Sequence, residues 1–404
     1  MKRFIILIWA ISFCSALSWG QTWKLSATMT ATLNAGVLTI ETTKDAEEMN
    51  DYRRSNQTPW GRSKSSSNVH TIIIKEGVSK IGSRSFADLP NLKSVAIPNS
   101  ATIVGEEAFN SCSSLTTITI PNSVTIIGNN AFAKCTSMAS IILSESLHTI
   151  ELGAFSRCTS LTSVTVPNSV TSIAPLAFMG CTNLVSIILP NSIKAIGGGT
   201  FSWCTNLTSI VIPNSVTTIG YNPVNYVSNY AVTKKYGGRT SELILSVGAF
   251  EYCTGLTSVT MPNTVTMIGS STFRDCVSLT HIDIPDSVKS IYAETFRGCH
   301  KLISVTIPNS VTLLGHFVFW DCKSLTSVTI PKSVITLGNG LFMNCIALKD
   351  ITVHWPAPIT SKGGLVGIFS NLKTSEVTLH VPVGTEELYK ANRLWKDFKI
   401  VASN

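Results

Sequence analysis

The side chains best suited to chemistry in this 404-residue chain are eleven cysteines, seven histidines and a run of tyrosines. Ten of the cysteines keep a fixed beat. Cys112, Cys135, Cys158, Cys181 and Cys204 follow one another at 23 residues, and so do Cys253, Cys276, Cys299, Cys322 and Cys345. One sulfur per period, set in a line, cannot close a tetrahedral cage, so no metal site is expected from them. Neighbouring thiols would stand one strand spacing apart, about 4.8 Å, which is wide for a disulfide. His281 and Asp283 should point outward from one strand, but two ligands without a third do not make a good site. Gly197-Gly198-Gly199-Thr200 comes nearest to a phosphate loop and falls where every period has its Ile-Gly turn, so it reads as a turn variant. Neither the helical zinc motif, the nucleophile elbow nor the nucleotide-binding glycine patterns occur. No acid/base pair stands at catalytic spacing. Catalytic residues, metal and cofactor are therefore all expected to be none.

Two other groups of residues suit binding. Residues 221–246 interrupt the 23-residue beat and hold Tyr221, Tyr226, Tyr230 and Tyr236 together with Lys234, Lys235 and Arg239. Tyrosines among small polar residues give a large contact area at low entropic cost, as in antibody paratopes. Insertions in repeat proteins map to loops on one face, often the binding face. The alternative is a hairpin whose tyrosines cover the edge of the coil, or a slipped, degenerate repeat. The second group lies two and four residues after each repeat leucine, where Ser and Thr predominate. Ile142, Ile188 and Val211 break that row, making the face mildly apolar near its middle. It reads either as a protein- or glycan-binding surface or as a sheet whose threonines serve β-propensity and cross-strand packing.

The positioning elements follow from the repeat. The working consensus is C-T-S-L-T-S-V-T-I-P-N-S-V-T-x-I-G-x-x-A-F-x-x, and eleven phenylalanines from Phe86 to Phe342 mark it. In Leu115-Thr116-Thr117-Ile118-Thr119-Ile120 the apolar residues alternate as in a half-buried strand. Pro121 stops the strand, Asn122-Ser123 turns the chain, and Val124 and Ile127 point a second extended segment inward. Gly128 permits a bend, and Ala131 to Cys135 is expected to form a helical or 3-10 turn. One such coil cannot bury its own apolar face, whereas stacked parallel coils bury it against each other. The expected fold is a mostly β solenoid of about twelve coils, roughly 55–60 Å long at the strand spacing. Leu89 stands where later coils carry cysteine, so the sulfur position reads as a buried apolar slot, filled by free cysteine acting as a small hydrophobe.

This consensus, over Thr71 to Val353, resembles the BspA-like leucine-rich repeat family, also called the Treponema pallidum type, of bacterial surface and secreted proteins. Trp23, Gly36 to Ile40, Met49-Asn50-Asp51-Tyr52 and Pro59-Trp60 resemble the module that often precedes such repeats in Bacteroidetes. Val381-Pro382-Val383-Gly384, Tyr389 and Trp395 to Phe398 resemble the module that closes them. The Gly-Thr-Gly turn usual in the first module is replaced here by Thr42-Thr43-Lys44-Asp45. The resemblance implies adhesion to host proteins, matrix or other cells.

Lys2-Arg3, the apolar run Phe4 to Phe13 and Ser18-Trp19-Gly20 read as an export leader with Gln21 as the mature N-terminus. The expected division is 1–20 leader, 21–68 N-terminal cap, 69–353 solenoid with its insertion at 221–246, and 354–404 C-terminal cap. The net charge of +8 is mild for this length and contains no run of five cations, so nucleic acid is not an expected partner. No later segment is apolar for 18 residues, so no transmembrane helix is expected in the mature chain. A monomeric, non-enzymatic exported binding protein with a protein or glycan partner is the favoured reading, and a scaffold of the cell envelope is the alternative. Asp286-Ser287-Val288 also resembles a Bacteroidetes O-glycosylation sequon.

Overall fold

Three residues of strand between a leucine and a proline can hold their place only if another coil supplies the hydrogen-bond partners. That is the arrangement seen in the computed structural model, which describes residues 20–61, 68–221, 247–359 and 366–403. Most coils contribute two short strands, which pair in parallel with equivalent strands of neighbouring coils. One set includes Thr117–Thr119, Ser140–Ile142, Ser163–Thr165, Ser186–Ile188 and Ser209–Val211; the other includes Ile103–Val104, Ile126–Ile127 and Thr149–Ile150. The register is that of the repeat, with Ser140 opposite Thr117 and Ile127 opposite Val104. Ser209 pairs with Ser258 and Thr218 with Met267, so the beat resumes in phase across the insertion.

The core is a column of rings. Phe86 to Phe342 stack coil on coil with centroids 5.3–5.8 Å apart. Trp60 extends the column at one end and Phe369 at the other, so thirteen rings lie in line. Trp60 anchors its end by donating its indole N–H to the Ser85 carbonyl at 2.9 Å. At the other end Trp395 and Phe398 close on Phe369 edge to face. Tyr389, on the short helix Glu386–Lys390, donates its hydroxyl to the Trp355 carbonyl. Both ends also continue the first ladder. An antiparallel pair, Gln21–Lys24 and Met29–Asn34, leads into Val37–Thr42, and Thr378–Pro382 and Lys399–Ser403 finish it. Capping by added strands and aromatic residues covers the apolar cross-section that a bare end would expose.

The segment expected to form a helical or 3-10 turn is a chain of successive turns closed three residues back, as in a 3-10 helix. Within the coil, Ala131, Ala133 and Cys135 donate their N–H groups three residues back, to Gly128, Asn130 and Phe132. The alternating N–H groups of Asn130, Phe132 and Lys134 donate instead to Leu152, Ala154 and Ser156 of the next coil. A continuous helix would use all of them internally; here every second donor goes to the next coil. The alternation sets Asn130 and Lys134 in the left-handed region, at φ 50 and 61.

Candidate interaction surface

On the strand face the period-2 rule sends alternate side chains outward. In two successive coils Ile187 and Ile210 enter the core, while Ile188 and Val211 stand 62% and 68% exposed. Val185, in the same coil as Ile188, is 47% exposed. The ladder on this face is interrupted at several steps, and one interruption falls here. Ser163–Thr165 pairs with Ser186–Ile188, and Ser209–Val211 pairs with Ser258–Thr260, but the two pairs are not joined. A shallow groove of about 370 Å³ follows the break, lined by Ile188, Leu189, Asn191, Val211 and Pro213. Ile142 is equally exposed, but the coil carrying Ser163–Thr165 separates it from the other two. The structure therefore joins Ile188 with Val211 and leaves Ile142 apart.

Tyr221 ends the strand Thr218–Tyr221 and pairs with Gly197 across a register shift. Tyr226, Tyr230, Lys234, Lys235, Tyr236 and Arg239 lie outside the described residues, as does the leader up to Trp19.

The remaining candidates resolve into structural roles. His281 Nε2 and Asp283 Oδ1 meet at 2.8 Å, both exposed, but the strand expected to carry them is not formed. No third ligand joins them, and the described residues hold no cluster of three possible metal ligands. In the Gly197–Thr200 turn the Gly199 N–H donates to Gly248 and the Thr200 N–H to Gly197. The Thr200 hydroxyl also bonds Gly197, so no cradle of free N–H groups faces outward. The Ser287 hydroxyl of the possible glycosylation sequon donates to the Val265 carbonyl at 2.6 Å, half-buried between coils. Ser100, Ser169 and Ser310 make the same bond in their coils. Each of the ten cysteines is free and buried, and each thiol donates to the phenylalanine carbonyl of the preceding coil at 3.0–3.3 Å. Burial pushes the Cys135 thiol up to about 12.

One exposed feature was not singled out in the sequence. Trp203 and Tyr252, each just before the cysteine of its coil, stack at 4.2 Å on the edge formed by the turns. Arg274 lies 5.9 Å from the Tyr252 ring, and Arg297 lies 3.7 Å from Trp320. The charges there pair among themselves, Arg274 with Glu251, Asp275 and Glu294, and Arg297 with Glu294. The aromatic pair was legible as two rings in consecutive periods of one column, once that column is known to face solvent.

Comparison with known proteins bears on the scaffold. The BspA type leucine rich repeat region, in six copies, matches residues 64–184, 137–233 and 244–361. A leucine-rich repeat protein from Bacteroides ovatus is similar over 82% of this chain and 94% of its own, with 24% identity and a TM-score of 0.50. The pneumococcal vaccine antigen PcpA is similar over 94% of this chain and 98% of its own, with 16% identity and a TM-score of 0.53. No curated protein matches. No helix among the described residues is long and apolar enough to cross a membrane.

Proposed function

The chain belongs to the BspA-type leucine-rich repeat family, and from that premise we propose that it is an exported, non-enzymatic binding protein acting in adhesion or cell-surface interaction. Its strand face at Ile188 and Val211, and the Tyr-rich insertion 221–246, meet a macromolecular partner. The observation that carries this reading is the exposed apolar pair at the break in the ladder, beside a groove and within a Ser/Thr-rich rim. Covering an isoleucine or valine side chain contributes about 1.5–3 kcal/mol, so two side by side form an anchor. The rim of hydroxyls confers orientation at little cost in desolvated charge. Export rests on Lys2-Arg3, the apolar run and the small residues before Gln21; cleavage there would leave the first strand, Gln21–Lys24, whole.

The test uses the mature protein, purified and presented to immobilised epithelial cells and to a matrix preparation. Ile188→Glu with Val211→Glu is expected to abolish adhesion while leaving the melting temperature unchanged, since both side chains are already in water. Deleting 221–246 is expected to leave folding intact and weaken adhesion. Adhesion that survives both changes would refute both surfaces.

A further inference from the structure

The turn edge carries a second, chemically different site. The residue before each cysteine is left-handed in coil after coil: Lys134 (φ 61), Arg157 (φ 60), Gly180 (φ 72), Trp203 (φ 64) and Tyr252 (φ 60). Their order in space is fixed by one hydrogen bond per step. The N–H of Lys134 donates to Ser156, Arg157 to Met179, Gly180 to Ser202, Trp203 to Glu251 and Tyr252 to Arg274, at 2.6–2.8 Å. The same backbone recurs at Ser111, Asp275, Gly298, Asp321 and Asn344, so it belongs to the repeat, and the coils differ only in the side chains placed there. Two aromatic residues in succession there are therefore informative.

Tyr252 covers one face of the Trp203 indole. Toward the other face the next position is Gly180, which has no side chain, and Trp203 remains 46% exposed. Beyond Gly180 the stem of Arg157 lies against the glycine, its Cγ 3.3 Å from where a Cβ would stand. From Arg157 to Trp203 is two coil steps, about 10 Å. The Arg157 stem takes up part of that span, which leaves the free face of Trp203 above Gly180 as the place for a ring, with the guanidinium beside it. Arg157 and Lys134 are exposed, and neither forms an ion pair among the described residues, whereas the charges past Tyr252 are mutually paired. The row thus reads cation, cation, glycine, indole, phenol.

We infer that this row binds an acidic glycan. The apolar face of one pyranose ring stacks on the free face of Trp203 above Gly180, and its anionic groups meet Arg157 and Lys134. A neutral sugar would leave the two unpaired cations without a role, and a polyanion without rings would leave the indole without one. The site is independent of the strand face: Lys134, Arg157, Gly180 and Trp203 lie on the turns of four successive coils.

The experiment titrates the mature protein at low salt with a heparin hexasaccharide, a hexamer of galacturonic acid and cellohexaose, following tryptophan fluorescence and heat. At least one acidic oligosaccharide is expected to bind and cellohexaose is not; the two acidic arms tell sulfate from carboxylate recognition. Trp203→Ala should lower affinity about tenfold, the worth of one good stacking contact. Gly180→Asn, a residue that tolerates φ > 0, should occupy the ring's place and do the same without altering charge. Arg157→Gln should weaken binding and flatten its salt dependence, while Ile335→Ser, at an exposed position in a distant coil, should leave it unchanged. Failure of both acidic arms overturns the inference. Equal binding by cellohexaose overturns it too, as does acidic binding untouched by Trp203→Ala and Gly180→Asn, which would mark attraction to a cationic protein at large.

Discussion

A cysteine at the end of each turn is the repeat's smallest device. The slot is apolar enough to accept Leu89 in the first of these coils, where that side chain is fully buried. Sulfur adds one bond, from thiol to the phenylalanine carbonyl of the coil before, so each residue helps to fasten its coil to its predecessor. Isolated charges show the opposite case. Glu151 is half-buried, and burial raises its carboxyl above the ordinary range. An acid whose folded pKa is raised binds its proton more tightly when folded. Stability therefore falls as pH rises from the unfolded value, about 4.3, through the folded one. Glu151→Gln is expected to raise the melting temperature at pH 7 and to leave it unchanged near pH 3. Equal shifts at both pH values would show that the charge is not the cause.

At the scale of the element, the coil is a unit that is stable only through its neighbours. Phe178 lies between Phe155 at 5.4 Å and Phe201 at 5.8 Å, with no exposed surface. Removing that ring opens a cavity against two coils at once. Phe178→Ala should cost about 3–5 kcal/mol in urea or guanidinium unfolding, the usual range for a buried ring. Because contacts pass only between neighbours, the loss should also lower the cooperativity of the transition. A loss under about 1 kcal/mol would contradict the ring column as the main packing element. The coil also explains why its turns do not run on into a helix: their donors are shared between the turn and the next coil, and local propensity has no means of showing that division.

For the whole molecule, ten identical slots turn a residue property into a collective one. In the unfolded chain a thiol ionises near pH 8.5; in the fold Cys135 and Cys181 are raised to about 12 by burial. The remaining eight move in the same direction for the same reason. Above about pH 8.5 the unfolded state has lost protons that the folded state keeps, so stability falls with pH. Each thiol adds a slope of up to about 1.4 kcal/mol per pH unit. The solenoid should unfold sharply by circular dichroism as pH rises from about 9 to 11, with its ten ladder thiols unreactive to iodoacetamide at pH 8 until denaturant is added. A stability that stays flat across that alkaline range would disprove the coupling.

The 23-residue beat determined the stacking direction, the register, the ring column and the apolar nature of the cysteine slot, because each rests on a period that any single coil displays. It also placed the insertion as an addition between coils, and strands on either side pair accordingly, Ser209 with Ser258. What depends on contact between coils was decided only by the tertiary structure. The column's extension to Trp60 and Phe369 falls off the beat, at 26 residues from Phe86 and 27 from Phe342, and only packing reveals it. The break in the ladder that sets Ile188 and Val211 over a groove is a hydrogen-bonding fact with no sequence mark. So is the division of N–H groups that holds Arg157, Gly180 and Trp203 in a row. The sequence spelled out the coil; the spaces between coils, where a ligand would sit, arise from how the coils rest on one another.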